Sequence, residues 1–185
     1  GFTGYKNEEH IVELAQCLAL SGYVTIRFDC SGFAESEGDI ERDYRLSNYY
    51  FDVEAVFEYL KTLENVDREK LAIWGNSLGG TIALCFASKN SWLKAVCAVS
   101  APTEFARKDN FERRTKKWQE MGYFEKESSE YGYIRIPYEY VVDSKKWNAL
   151  ESVENIKSPS LYIIGLADKN VFPENTRELF NKAND

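Results

Sequence analysis

The stretch Lys70-Leu71-Ala72-Ile73-Trp74-Gly75-Asn76-Ser77-Leu78-Gly79-Gly80 decides how this chain is read. Lys70 to Trp74 is a short apolar run of strand length, and from Leu78 to Lys89 the pattern is that of a helix. A serine therefore stands on the bend between them. A tight strand-to-helix turn strains the backbone of the residue at its apex, and the neighbours must be small to avoid colliding with strand and helix. Gly75 and Gly79, two residues to either side of Ser77, supply that clearance. Such a turn lifts the hydroxyl above the sheet edge and leaves it at a helix N-terminus, where developing negative charge is favoured. The bare spacing Gly-x-Ser-x-Gly is common by chance. Its position between strand and helix is what distinguishes a nucleophile at Ser77 from an ordinary tight turn.

Outward from this bend, strand and helix alternate. Upstream, Asn7 is placed to cap a helix with Glu8 and Glu9 in its first turn and Ile11, Leu14, Ala15 and Leu18 at helical spacing, stopped by Ser21-Gly22. Tyr23 to Phe28 reads as a buried strand ending at Asp29, followed by a polar, glycine-punctuated loop to about Arg45. Val53, Val56, Phe57 and Leu60 predict a helix over 48–63. Downstream, Leu93 to Val99 and Ser160 to Ile164 read as strands, and Pro173 to Asn181 as a helix with proline in its first turn. This order builds a doubly wound, mostly parallel α/β sheet flanked by helices.

Residues 101–155 break the rhythm. Phe105, Phe111, Trp118, Tyr123, Phe124, Tyr131, Tyr133, Tyr138, Tyr140 and Trp147 crowd into this stretch among many charges. It reads as an insertion on the sheet, helical at first, that divides the core into 1–100 and 156–185. Its aromatics either line an apolar pocket or pack the insertion onto the core. The basic residues Arg107, Lys108, Arg113, Arg114, Lys116 and Lys117 are interrupted by Asp109 and Glu112, as on a solvated helix face rather than an anion-binding lid.

Composition narrows the function classes. The 185 residues suit one domain with a real core, and 44% hydrophobic with 29% charged residues is ordinary for a globular protein. A net charge of −7 argues against nucleic acid or an anionic membrane as partner, since both call for a basic face. No apolar run approaches the roughly 18 residues of a membrane span. Cys17, Cys30, Cys85 and Cys97 form no Cys-x-x-Cys pair and read as free structural thiols of a cytoplasmic protein. No ligand cluster calls for a metal or an organic cofactor.

Three further segments join the serine turn. They are Gly1-Phe2-Thr3-Gly4, the loop Asp29-Cys30-Ser31-Gly32-Phe33-Ala34-Glu35-Ser36-Glu37-Gly38, and Gly165-Leu166-Ala167-Asp168-Lys169-Asn170-Val171 directly after a strand. Together they resemble the α/β-hydrolase superfamily over nearly the whole chain. The first is similar to the tail of its His-Gly-x oxyanion loop, with the leading histidine cut away. The second is similar to its Asp-x-x-Gly-x-Gly-x-Ser-x-Gly loop, with Ala34 in place of one glycine. The third is similar to its acid loop. Within the superfamily, the aromatic insertion most resembles that of cinnamoyl/feruloyl-type carboxylesterases, where it forms a cap.

The resemblance implies a serine hydrolase acting on small carboxylic esters with an apolar or aromatic acyl group. Ser77 would attack, Asp168 would orient the base, and the backbone N–H groups of Phe2 and Leu78 would hold the oxyanion. Losing one such donor typically costs about 3–4 kcal/mol of transition-state stabilisation. Asp168 follows its strand at the carboxyl end, where open α/β sheets place active sites; the alternative is an aspartate capping the helix at Pro173. Peptidase, thioesterase, acyltransferase and non-catalytic binding roles use the same scaffold. His10 is the only histidine, and its place before the serine marks it as a helix-start residue rather than the base. The base is expected about 25–30 residues past Asp168, given typical element lengths. Only 17 residues follow Asp168, so both ends are expected to be clipped and these residues alone to be inactive.

Overall fold

The structure, a computed structural model, describes residues 1–105, 111–128 and 131–183, and only the backbone of 111–114. Helices α1 (Glu9–Leu20) and α2 (Leu46–Thr62) precede strand β1 (Ala72–Asn76), helix α3 (Leu78–Lys89) and strand β2 (Ala95–Val99). Helix α4 (Phe111–Met121) then leads into an antiparallel hairpin, β3 (Tyr123–Ser128) and β4 (Gly132–Pro137). Short helices α5 (Glu139–Ser144) and α6 (Ala149–Ser152) and a 3-10 turn follow, before β5 (Ser160–Ile163) and α7 (Pro173–Lys182).

Strands β1, β2 and β5 form one parallel sheet in that order. Helix α3 lies under its centre, and every residue from Leu78 to Ala87 is buried. A helix that is apolar on all sides belongs inside a core, and each fully buried Leu or Ile contributes about 1.5–3 kcal/mol. Its one hydroxyl among the fully buried residues, Thr81, donates to the carbonyl of Pro102 at 2.7 Å. Gly75 faces α3, so the alternation of a strand turns Trp74 and Asn76 to the other face. There His10 of α1 meets both of them. Helix α7 packs on β5 and α6, completing a sheet flanked by helices as the alternation of elements predicts.

Helix α2 buries Leu46, Tyr50, Val53 and Phe57 at helical spacing, and Phe57 stacks on Phe86 of α3 at 5.1 Å. Its own N-cap residue, Arg45, makes no side-chain cap bond. Asp143 of α5 substitutes for it, accepting from the Ser47 amide at 2.8 Å and the Ser47 hydroxyl at 2.6 Å. Burial alone raises the Asp143 carboxyl, but Lys146 and Ser47 outweigh it and hold the group below the usual carboxylate range. The segment after β4 is therefore fastened to the first turn of α2.

Three local expectations differ from what is found. Tyr23–Phe28 makes no strand ladder, because no strand among the described residues lies beside it to exchange hydrogen bonds. Asn7 does not cap α1; Glu8 occupies that position without a side-chain bond, and the Asn7 side chain accepts instead from Arg27 at 3.0 Å. The 123–137 hairpin lay hidden in the aromatic stretch. In β4 the period-two signal is present, with Ile134 and Ile136 buried and Tyr133 and Arg135 exposed, but the charged β3 carries no such pattern. Of the basic stretch, Lys116 and Lys117 are solvent-exposed, while Arg107, Lys108 and Asp109 and the side chains of Glu112, Arg113 and Arg114 lie outside the described residues.

Ala34 stands at φ 55°, the left-handed region that favours glycine. A non-glycine there costs about 1–2 kcal/mol, partly offset by the ~0.5–1 kcal/mol entropic cost of an unfolded glycine. Ala34→Gly is therefore expected to raise the melting temperature by about 1–3 °C for a chain of this size. A melt at or below wild type would show that the loop carries no relievable strain at this residue.

Candidate active site

The apex of the bend is strained as its sequence requires. Ser77 has φ 53° and ψ −124°, and its N–H donates to the carbonyl of Val99 at 2.8 Å. Its carbonyl accepts from the Gly80 and Thr81 amides at 2.8 and 3.2 Å, opening α3. Clearance is tight at all three nearby glycines. A Cβ on Gly75 would lie 2.1 Å from the Gly79 carbonyl oxygen and 2.6 Å from the Gly80 nitrogen. One on Gly79 would meet the Tyr49 hydroxyl at 2.9 Å, and one on Gly80 the Ala101 Cβ at 2.8 Å. Only at Gly75 is the obstacle entirely backbone. Gly75→Ala should therefore destabilise by about 3 kcal/mol or more, the upper range for overpacking. That lowers the melting temperature by at least ~6 °C for a chain of this size; a melt within 2 °C of wild type would mean that strand and helix separate at little cost.

Register sets what stands beside Ser77. Asn76, Val99 and Ile163 are successive partners across β1, β2 and β5, so Ser77 and Ser100 both step off the carboxyl edge at the same level. The Ser100 amide donates to the Ile163 carbonyl at 2.8 Å. With strands about 4.8 Å apart, the loop after β5 begins roughly 10 Å from Ser77. Thr3, Ser77 and Ser100 have φ of 56°, 53° and 46°, so three of the four non-glycine residues at positive φ among those described stand at this edge or in the turn beside it. Strain of this kind persists only where surrounding structure holds it.

Asp168 lies in that loop after β5. Its Oδ1 accepts from the amides of Asn170 at 2.8 Å and Val171 at 3.0 Å. Burial alone raises the carboxyl, but these two amides and the Ser100 hydroxyl outweigh it and hold the group below the usual range. The helix-cap alternative does not describe it, since the cap position of α7 is Phe172 and the amides that Asp168 binds precede the helix.

The Gly1–Gly4 segment is a turn closed by the Gly4 amide donating to the Gly1 carbonyl at 3.1 Å. Gly1 is beside the bend, where a Cβ would come within 3.5 Å of the Ser77 Cβ. In a trans peptide the N–H points opposite to the carbonyl, so turning the Gly1 carbonyl inward turns the Phe2 N–H outward. That amide has no acceptor among the described residues. The Leu78 amide is the first of α3, where a helix offers no acceptor of its own. The Leu78 amide adjoins Ser77 in the chain, and the Phe2 amide is one residue from Gly1, which lies beside the bend.

His10 is not in this group. Its Nε2 accepts from Asn76 Nδ2 at 3.1 Å and lies 3.8 Å from Glu8 Oε2. Of the aromatics in 101–155, Phe105, Trp118 and Tyr140 are buried and grouped with Phe124 around the Phe2 ring, while Tyr131 and Tyr133 are exposed. A cavity of about 240 Å³ lies elsewhere, between β5 and α7 against Tyr162 and Phe180. No cluster of metal-binding side chains occurs among the described residues. Sequence reading passed over Ser100, Tyr49 and the partners of Thr3. For Ser100 a signal existed, as a polar residue ending the strand that pairs with the serine's own.

A strained serine on a strand–turn–helix bend, at the carboxyl edge of a parallel sheet flanked by helices, defines the α/β-hydrolase fold. Within it, the chain belongs to the prolyl oligopeptidase family, whose family model matches residues 12–185. It is similar to an uncharacterized 31.7 kDa protein of the traX-finO intergenic region of Escherichia coli, 23% identical over 98% of this chain and 74% of that one. Among solved structures it is similar to Est1E from Butyrivibrio proteoclasticus with ferulic acid bound, at 24% identity and TM-score 0.78, covering 99% of this chain and 73% of that one. It is also similar to the α/β hydrolase GrgF from Penicillium sp. sh18, at 18% identity and TM-score 0.81, covering 100% and 75%.

Proposed function

We propose that the protein is a serine hydrolase that cleaves small carboxylic esters through an acyl-enzyme intermediate. The observation that carries this reading is the single level at which Ser77 and Ser100 leave the sheet, with Asp168 in the loop that follows the third strand of the same register. The Ser77 hydroxyl attacks the ester carbonyl carbon while a histidine takes its proton. The oxyanion is held by the Phe2 and Leu78 amides, in a site where preorganised donors are worth most. The imidazolium then protonates the leaving alcohol, and water releases the acyl group by the same path in reverse. Asp168 orients the imidazole and stabilises its cation.

His10 is not this base, because it is engaged by Asn76 and Glu8. Residues 101–155 serve as a cap whose buried aromatics seat Phe2, and the acyl group taken is apolar or aromatic. The ferulic acid bound to Est1E carries an aromatic acyl group of that kind. The four free cysteines are in keeping with a reducing, cytoplasmic setting, with burial pushing the Cys30 thiol up to about 12. Among the described residues no helix is long and apolar enough to cross a membrane.

Membership of the prolyl oligopeptidase family favours one second reading, a peptidase built on the same serine. Parallel assays of the full-length protein on aryl and alkyl esters and on proline-containing peptides separate the two. Turnover of esters with no peptide cleavage is expected; peptide cleavage at comparable kcat/KM would assign the peptidase instead. Failure of a fluorophosphonate to label the folded protein would remove both.

A further inference from the structure

The Phe2 amide is placed by contacts that come largely from the cap. The Phe2 ring lies 5.3 Å from Tyr140, 5.6 Å from Phe105, 6.0 Å from Phe124 and 6.1 Å from Trp118, all within 101–155, and 6.4 Å from Tyr44. The Trp118 indole is itself fixed, donating to the Ile136 carbonyl at 2.8 Å. Thr3, next in the turn, is held from three sides. Its N–H donates to the Tyr44 hydroxyl at 2.7 Å, and its hydroxyl donates to the Phe2 carbonyl at 2.7 Å. The same hydroxyl accepts from Lys126 Nζ, on strand β3, at 2.5 Å. Tyr44 stacks on Tyr140 of α5 at 5.2 Å, and burial keeps its hydroxyl protonated far above the ordinary range.

We infer that Lys126 is a positioning residue for acyl transfer, acting through Thr3 to hold the Phe2 N–H on the oxyanion, so that the seating of the cap hairpin sets the catalytic rate. The inference rests on the serine-hydrolase reading above. Its physical basis is the strain at Thr3. A β-branched residue at φ 56° is an outlier that reverts unless held. The charge-assisted bond from Lys126 is the hold that comes from the cap. Once it is released, Thr3 relaxes toward negative φ and carries the preceding peptides with it. The Gly1–Phe2 peptide then rotates, and a donor misaligned toward 120° loses most of its hydrogen bond. The ester is still bound, because the Lys126 ammonium is engaged on Thr3; only the transition state is stabilised less.

The test uses the full-length protein and p-nitrophenyl esters, with fluorophosphonate labelling rate as a second readout. Lys126→Met is expected to lower kcat and the labelling rate about 5–20-fold, a fraction of the loss on deleting an oxyanion donor, with KM within twofold. Lys126→Arg should restore at least half of the lost rate. Thr3→Val should give a similar loss, and the double variant should lose no more than either single one, as for two links of one chain. Unchanged kcat in a folded Lys126→Met, a loss confined to KM, or additive losses in the double variant would overturn the inference and leave the hydrolase reading intact. Absence of labelling in the wild type would remove both.

Discussion

Ser77→Ala is expected to abolish fluorophosphonate labelling of the full-length protein and to lower kcat on an aryl ester by about a million-fold, as when a nucleophile is deleted from an intact site. The reason lies in the bend. The hydroxyl is carried by a residue whose backbone is set by its neighbours: its amide by Val99, its carbonyl by Gly80 and Thr81. Alanine keeps the Cβ, and with it the same backbone preferences, so the turn and the buried helix α3 that follows are unaffected. The melting temperature should stay within about 2 °C of wild type, as for an isosteric change without packing loss. Residual turnover should come from the oxyanion donors and binding alone. A Ser77→Ala protein that retains a tenth of wild-type ester turnover would end the assignment of this serine. Retained labelling would point to another nucleophile.

The core of this arrangement was legible in the sequence because local chemistry dictates it. A Cβ at Gly75, Gly79 or Gly80 would come within 3 Å of a neighbouring atom, and at Gly75 that atom is backbone, so no larger residue fits the bend there. The apolar runs of β1, β2 and β5 are those of strands buried in a parallel sheet, which makes them readable without knowing their partners. What was not legible depends on partners distant in the chain. Tyr23–Phe28 has the composition of a strand, but a strand exists only by pairing. Asp143 caps α2 from 96 residues away, and Lys126 reaches Thr3 from 123 away. No spacing rule connects such pairs. Ala34 shows the opposite case, since its departure from glycine in the Asp29–Gly38 loop marked the one loop residue there that is forced to positive φ without being glycine.

Asp168→Asn should lower kcat by about 10³–10⁴-fold while leaving KM and the melting temperature nearly unchanged, as for an isosteric change at a triad acid. The side-chain oxygen of asparagine can still accept from the Asn170 and Val171 amides, so the loop keeps its shape. The other end of the side chain becomes an N–H donor. An imidazole that should donate to a carboxylate then meets a donor, adopts the wrong tautomer, and cannot take the Ser77 proton. The sign of the pH effect follows from the same contacts. Against the raising effect of burial, the two amides and Ser100 hold the carboxyl below its ordinary value. Asp168 therefore stays ionised as pH falls through the range where an imidazole, near 6.5 when unperturbed, becomes protonated. The acid limb of the wild-type kcat profile should thus report the imidazole, with a single proton and no second break in the carboxylate range down to about pH 4. Full activity in Asp168→Asn, or a kcat profile that breaks near pH 4 alone, would show that this carboxylate does not serve the base.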